Sequence, residues 1–165
     1  LLNPGGGGHE IDGQPAAKVF EVCAQCLSTS CDHSLVLVYG PNYSGKPLEI
    51  QGVKAIGKMS PESFQAAIMG ASGFLSGGGG ALFQAVDAKL PTVGVALSPD
   101  QKFRIGRMYR RNLIGRAKPV PVEMEEKINS ILEYPPAGLS RRSGEEDHAL
   151  DRIENRVKEL LNFSP

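Results

Sequence analysis

Residues 34–40, SLVLVYG, are apolar without alternation and rich in β-branched valine. A run of this kind fits a strand buried on both faces, and such strands occur where helices cover a parallel sheet from each side. The rest of the chain repeats the theme. LLN at the start, GVKAIG (52–57), GFLS (73–76) and TVGVAL (92–97) read as further short strands. Helical patterns separate them: one over roughly 14–29, then SPESFQAAIMGA, with Ser60 as cap and Pro61 in the first turn. ALFQAVDAKL must stop before Pro91, and QKFRIGRMYRRNLI and EMEEKINSILEY follow, the last with Ile128, Ile131 and Leu132 expected inside. Strands alternating with helices of about 10–15 residues predict an α/β fold, a Rossmann-like parallel sheet with helices on both faces.

This organisation assigns residues 1–134 to one domain. PPAGLSRRSGEED (135–147) is polar and Pro/Gly-bearing, which predicts a linker. Residues 148–165 are expected to form an amphipathic helix, with Leu150, Ile153, Val157, Leu160 and Leu161 on one stripe. That stripe is expected to fold over the chain's own core, to join copies into a homo-oligomer, or to meet a partner chain.

Composition narrows the function classes. Eighteen basic residues balance eighteen acidic ones, so there is no general polycation and no nucleic-acid partner is expected. No apolar run approaches the length needed to span a bilayer. With no charged-then-apolar leader and an odd count of three cysteines, the expected setting is reducing and cytoplasmic. The chain begins inside a strand pattern without an initiator Met, which predicts a fragment or processed chain with material upstream. The spacing C-x2-C-x4-C-x-H in CAQCLSTSCDH has no distant second ligand pair, so it reads as thiols on an apolar helix face and not as a metal site. Residues 100–118 carry seven basic side chains and, after Asp100, no acidic one. This segment faces solvent, the phosphates of a ligand, or an anionic membrane surface at the periphery.

Two clusters of four glycines remain, Gly5–Gly8 and Gly77–Gly80. Glycine is the costliest residue to order, and one cluster is clamped between a strand and a helix, so flexibility alone is a poor reason for it. Without Cβ atoms, a ligand can reach the backbone N–H groups at a helix start, where the dipole favours anions. Both clusters directly follow strands, the end of a parallel sheet where ligands bind. Together they could hold a diphosphate between them. GPNYSGKP (40–47) imitates a phosphate-binding P-loop, but Pro47 stands where the Mg²⁺-binding hydroxyl should be and no helix pattern follows, so a turn explains it better. His9 follows the first cluster and could touch a ligand. A G-x-S-x-G nucleophile motif is absent.

The stretch AIGKMSPESFQAAIMGASGFLSGGGGALFQAVDAKLPTVGVALSPDQ (55–101) resembles the C-terminal domain of GT-B glycosyltransferases. It is similar in particular to family 28, the group of the lipid II-forming N-acetylglucosaminyltransferase and its dolichol-pathway relative. The shared pattern is strand, glycine loop, helix, A-x-x-x-x-L-P, apolar strand and P-x-x-x-Q, and the resemblance extends over roughly 1–120. It implies one half of a GT-B fold that binds a UDP-sugar donor, with a hexosamine-type sugar transferred to an acceptor. On this resemblance Ile56 would meet the uracil through its backbone. Gly78, Gly79, Gly80 and Ala81 would hold the diphosphate, and Gly6, Gly7 and Gly8 would close over phosphate or the acceptor cleft. Gln84 stands where the family usually has a Glu for the ribose, and Asp100 and Gln101 would approach the sugar. The family's Asn-Ala after that glutamine is replaced by RIGR.

The resemblance places the catalytic base in an N-terminal acceptor-binding domain or a separate subunit, so no catalytic residue is assigned here. It implies no metal and no cofactor. Two alternatives stand beside a transferase: a UDP-sugar hydrolase of the same superfamily, and a non-catalytic nucleotide-sugar-binding subunit that docks on a membrane-attached partner.

Overall fold

The computed structural model describes residues 1–6 and 8–136. The expected linker and the helix over 148–165 lie, from residue 137 onward, outside the described residues, as does Gly7.

The chain opens with β1 (Leu2–Asn3), then forms a small hairpin of β2 (Glu10–Ile11) and β3 (Gln14–Pro15), and enters α1 (Ala16–Ser30). β4 (Leu35–Val38) and β5 (Val53–Ile56) follow, then α2 (Pro61–Gly70), β6 (Phe74–Gly77), α3 (Gly80–Asp87) and β7 (Thr92–Val95). The described part closes with α4 (Pro99–Arg110), β8 (Gly115–Ala117) and α5 (Pro121–Glu133).

Six strands form one sheet in the order β5-β4-β1-β6-β7-β8, and every neighbouring pair is parallel. Counting only these six in chain order, the sequence across the sheet is 3-2-1-4-5-6, the doubly wound Rossmann arrangement. β1, two residues long, is therefore the centre. The chain winds outward from it first through β4 and β5, then through β6, β7 and β8.

Helices cover both faces. Phe20, Cys23, Ala24 and Leu27 of α1 join Met124, Ile128 and Ile131 of α5 over Leu37, Leu75, Val93 and Val95. On the other side Ile68 of α2 packs with Phe74 and with Ala85 of α3. Leu82 of α3 meets Ile105 and Met108 of α4 and the buried Ile114. β4 is buried at all four positions, as its unbroken apolar run requires. Cys23 lies fully inside, where burial pushes its thiol up to about 12. Among the described residues no helix is long and apolar enough to cross a membrane and no cluster of metal-binding side chains occurs.

Four local features bear on the sequence expectations. Ser60 caps α2 as expected, its hydroxyl accepting from the Ser63 N–H at 3.2 Å. The hairpin β2–β3 turns at Asp12-Gly13, both with positive φ (50° and 75°), which is what a two-residue type I′ turn demands. β8 is a further strand that the apolar pattern does not announce. Residues 40–47, the P-loop imitation, form a turn on the way to the edge strand β5, with no helix after them.

Candidate nucleotide-binding crevice

Strand order reverses at β1, so the carboxyl ends of β1 and β6 flank the switch point of the sheet. The two glycine clusters begin at those two ends. Ligands of doubly wound sheets bind in the crevice at this point, because loops leaving the two neighbouring strands diverge to opposite faces there.

The first loop is fastened at its base. Asn3, buried at the end of β1, donates from Nδ2 to the Val38 carbonyl (2.8 Å) and accepts from the Gly5 N–H at Oδ1 (3.1 Å). Gly5 and Gly8 have φ of 98° and 80°, a region that side chains rarely adopt. The Asn42 N–H donates to the Gly6 carbonyl (2.9 Å), and Gly40 lies so close that a Cβ there would overlap the Gly5 and Gly6 backbone. The 40–47 turn thus supports the loop. It is itself anchored by Tyr39, whose hydroxyl accepts from the Leu48 N–H (3.2 Å) and donates to Oε1 of buried Glu21 (2.8 Å). The other Glu21 oxygen is compensated by the Lys18 ammonium, 3.1 Å away. Burial, the largest effect, raises the Tyr39 hydroxyl well above the ordinary phenol range.

The second loop divides into two halves with different reasons for glycine. A Cβ on Gly77 would come within 2.8 Å of Leu97 Cδ1, and one on Gly78 within 2.7 Å of Gln101 Cβ. Packing demands those two. Gly79 and Gly80 have no such demand: neither has positive φ, and a Cβ on either would meet nothing within 4 Å. They face open space at the start of α3, where Gly79 is the N-cap and makes no side-chain cap. The first amides of a helix have no acceptor within it. Here they follow two residues that carry no side chain and have open space beside them.

Helix α4 sets the height of this loop. Gln101, 6% exposed, accepts at Oε1 from both the Gly78 N–H (3.1 Å) and the Leu97 N–H (3.0 Å). One turn on, Arg104 donates from Nη1 to the Gly78 carbonyl. Both backbone polar groups of Gly78 are therefore held by α4. The Arg104 guanidinium also lies 3.4 Å from Asp100 and 5.8 Å from the centre of the Phe83 ring. That brings one cation of the basic 100–118 segment to the loop. Lys102, Arg107, Arg110 and Arg111 stay exposed.

The remaining expected contacts fall around this crevice. Gly6 and Gly8 are exposed on the first loop, and Ala81 and Gln84 occupy the first turns of α3, Gln84 exposed. Asp100 is exposed in the first turn of α4, and the Ser98 hydroxyl, donating at 2.5 Å, holds its carboxyl below the usual range. Ile56 ends β5, two strands from β1, and its carbonyl accepts from the Tyr39 N–H (2.9 Å) within the ladder. A base at that edge would meet the second lone pair of this carbonyl or the residues beyond. Gln101 reaches an assumed sugar only through Nε2, because its oxygen is engaged. Asn3 and Arg104 are supports that the motif reading did not single out. A cavity of about 320 Å³ adjoins the first loop, lined among others by His9, Glu10, Lys18 and Tyr43.

The sequence matches no family model and no curated protein. Solved structures do match. One is described as the crystal structure analysis of the glycotransferase of kitacinnamycin, with a TM-score of 0.63 and 18% identity over 99% of this chain. The match takes in 43% of that protein's length. At this identity the likeness bears on the fold, and it agrees with the doubly wound sheet. The narrower resemblance to family 28 rests on the motifs alone.

Proposed function

We propose that this chain is the donor-binding half of a nucleotide-sugar glycosyltransferase, and that the crevice between the glycine loops holds the diphosphate of a UDP-sugar. The observation that carries the reading is the pair Gly79–Gly80. These residues lack side chains at the switch point of the sheet although neither backbone conformation nor packing requires it. A ligand that must touch the amides is the remaining physical reason. The first amides of α3 and the half-exposed Arg104 guanidinium supply what a diphosphate leaving group needs, donors and positive charge aimed where negative charge grows. The neighbour named a glycotransferase is consistent with this, and its greater length supports a second domain or subunit as the source of the acceptor site and the base. A hexosamine-type sugar is the donor implied by the motif resemblance over 55–101.

The test is a thermal-shift and calorimetric comparison of UDP, UDP-N-acetylglucosamine and ATP with Mg²⁺. UDP and the UDP-sugar are expected to bind and to raise the melting temperature, and ATP–Mg²⁺ is expected to leave it unchanged. Stabilisation by ATP–Mg²⁺ alone would reverse the reading.

A further inference from the structure

One side chain of α4 links the two glycine loops: Gln101, which accepts from the Gly78 N–H, has its Nε2 3.3 Å from His9 Nε2. Its chemistry is fixed by the surroundings. Gln101 Oε1 accepts from two backbone N–H groups, those of Gly78 and Leu97. An amide turned the other way would bring its own donors against both. The –NH₂ group therefore faces His9, and it can only donate. His9 Nε2 must be the acceptor, which means a neutral ring with its proton on Nδ1. A protonated imidazole carries N–H on both nitrogens and would meet the amide donor to donor.

We propose that Gln101 is a positioning residue that latches the first glycine loop to the second through neutral His9, and that the crevice takes a nucleoside diphosphate with this latch closed. The proposal rests on reading the crevice as the diphosphate site. The charged and titratable groups around the ring are Glu10 on β2, Lys18 on α1 and Tyr43 on the 40–47 turn, which share its cavity. On α4 the facing group is the neutral Gln101 amide, with Arg104 one turn on, bound to Gly78. Protonation of His9 has two opposed effects. It adds a positive charge near the phosphates, and it breaks the latch. The donor–donor clash acts at the 3.3 Å contact itself, whereas the added charge would act on a phosphate at the solvent-exposed start of α3, where it is screened. The latch decides the sign, so protonating His9 weakens UDP binding.

His9→Ala removes the latch at every pH and is expected to weaken UDP binding about 2- to 10-fold at pH 8, the range of one lost hydrogen bond. His9→Gln places an amide oxygen near the Nε2 position, accepts from Gln101 without titrating, and is expected to restore affinity to within about twofold. Its pH profile carries only the titration of UDP itself. The parent protein's affinity should fall below that profile toward pH 5. A parent that binds UDP more tightly than His9→Gln at pH 5 would overturn the latch, as would unchanged affinity in His9→Ala. The ligand-free protein gives an independent reading through the imidazole ¹⁵N shifts at pH 8. The Nδ1–H tautomer supports the contact, and the Nε2–H tautomer sinks it. Should UDP bind to no variant, the diphosphate reading fails, and the tautomer still decides whether the loops are joined.

Discussion

Replacing Gly80 by Val separates binding from folding more cleanly than any other change in the crevice. Gly80 is the first residue of α3, its φ is not positive, and a Cβ there would meet nothing within 4 Å. Glycine is among the poorest residues in a helix, about 0.3 kcal/mol or more worse than Val. Stability is thus expected to stay level or rise by up to about 0.5 kcal/mol. Binding should move the other way. The branched side chain stands beside the amides that a diphosphate must reach, and each lost charge-assisted hydrogen bond is worth about 1.5–3 kcal/mol. UDP affinity should therefore fall by about 10- to 100-fold or more, every tenfold being about 1.4 kcal/mol. The contrast is Gly78→Ala, whose methyl would press on Gln101 Cβ at 2.7 Å and on Ile105 Cδ1 at 3.1 Å. That change is expected to cost about 1–3 kcal/mol of stability by overpacking. The assay is urea unfolding of each variant beside calorimetric titration with UDP. A folded Gly80→Val protein with undiminished affinity would remove the phosphate role from this loop. A Gly80→Val protein destabilised like Gly78→Ala would show that the packing argument is wrong.

Two further outcomes follow from the same geometry. Lys46→Ala should leave UDP affinity unchanged, because residues 40–47 are a turn supporting the first loop; a large loss of nucleotide binding would restore the P-loop. Cys23 should resist iodoacetamide in the native protein while half-buried Cys26 and Cys31 react, as peptide mapping would reveal. Its raised thiol pKa means that the unfolded chain loses this proton first, so stability present below pH 9 is lost progressively toward about pH 12. Native labelling of Cys23 at the rate of the other two would contradict that burial.

The sheet was legible where the local signal agreed with the tertiary demand. LVLV at 35–38 has no polar position to expose, and Ser60-Pro61 starts a helix by its own chemistry. β8 was not legible, since Gly115, Arg116 and Ala117 carry no apolar run and become a strand only by lying in register beside Val93–Val95. The hairpin at Asp12-Gly13 did have a signal, the DG dipeptide, but its strands are two residues each and too short to show alternation. The crevice was half legible. Eight glycines after two strand patterns mark the place. They do not reveal that Gly77 and Gly78 serve packing while Gly79 and Gly80 face open space, because that division depends on where α4 lies in three dimensions. For the same reason Gln101 reads in sequence as a ligand-facing amide, although its oxygen ties Gly78 to Leu97.

The central claim, that the two glycine loops enclose a nucleoside diphosphate, is tested most directly by titrating ¹⁵N-labelled protein with UDP and following backbone amides. The largest shifts are expected at Gly79, Gly80 and Ala81, with smaller ones at Gly5, Gly6 and Gly8. None are expected at Gly70–Gly73, which line a separate cavity of about 310 Å³ at the amino ends of the strands. Saturating UDP with undisturbed Gly79–Ala81 amides, or shifts confined to that opposite end of the sheet, would contradict it.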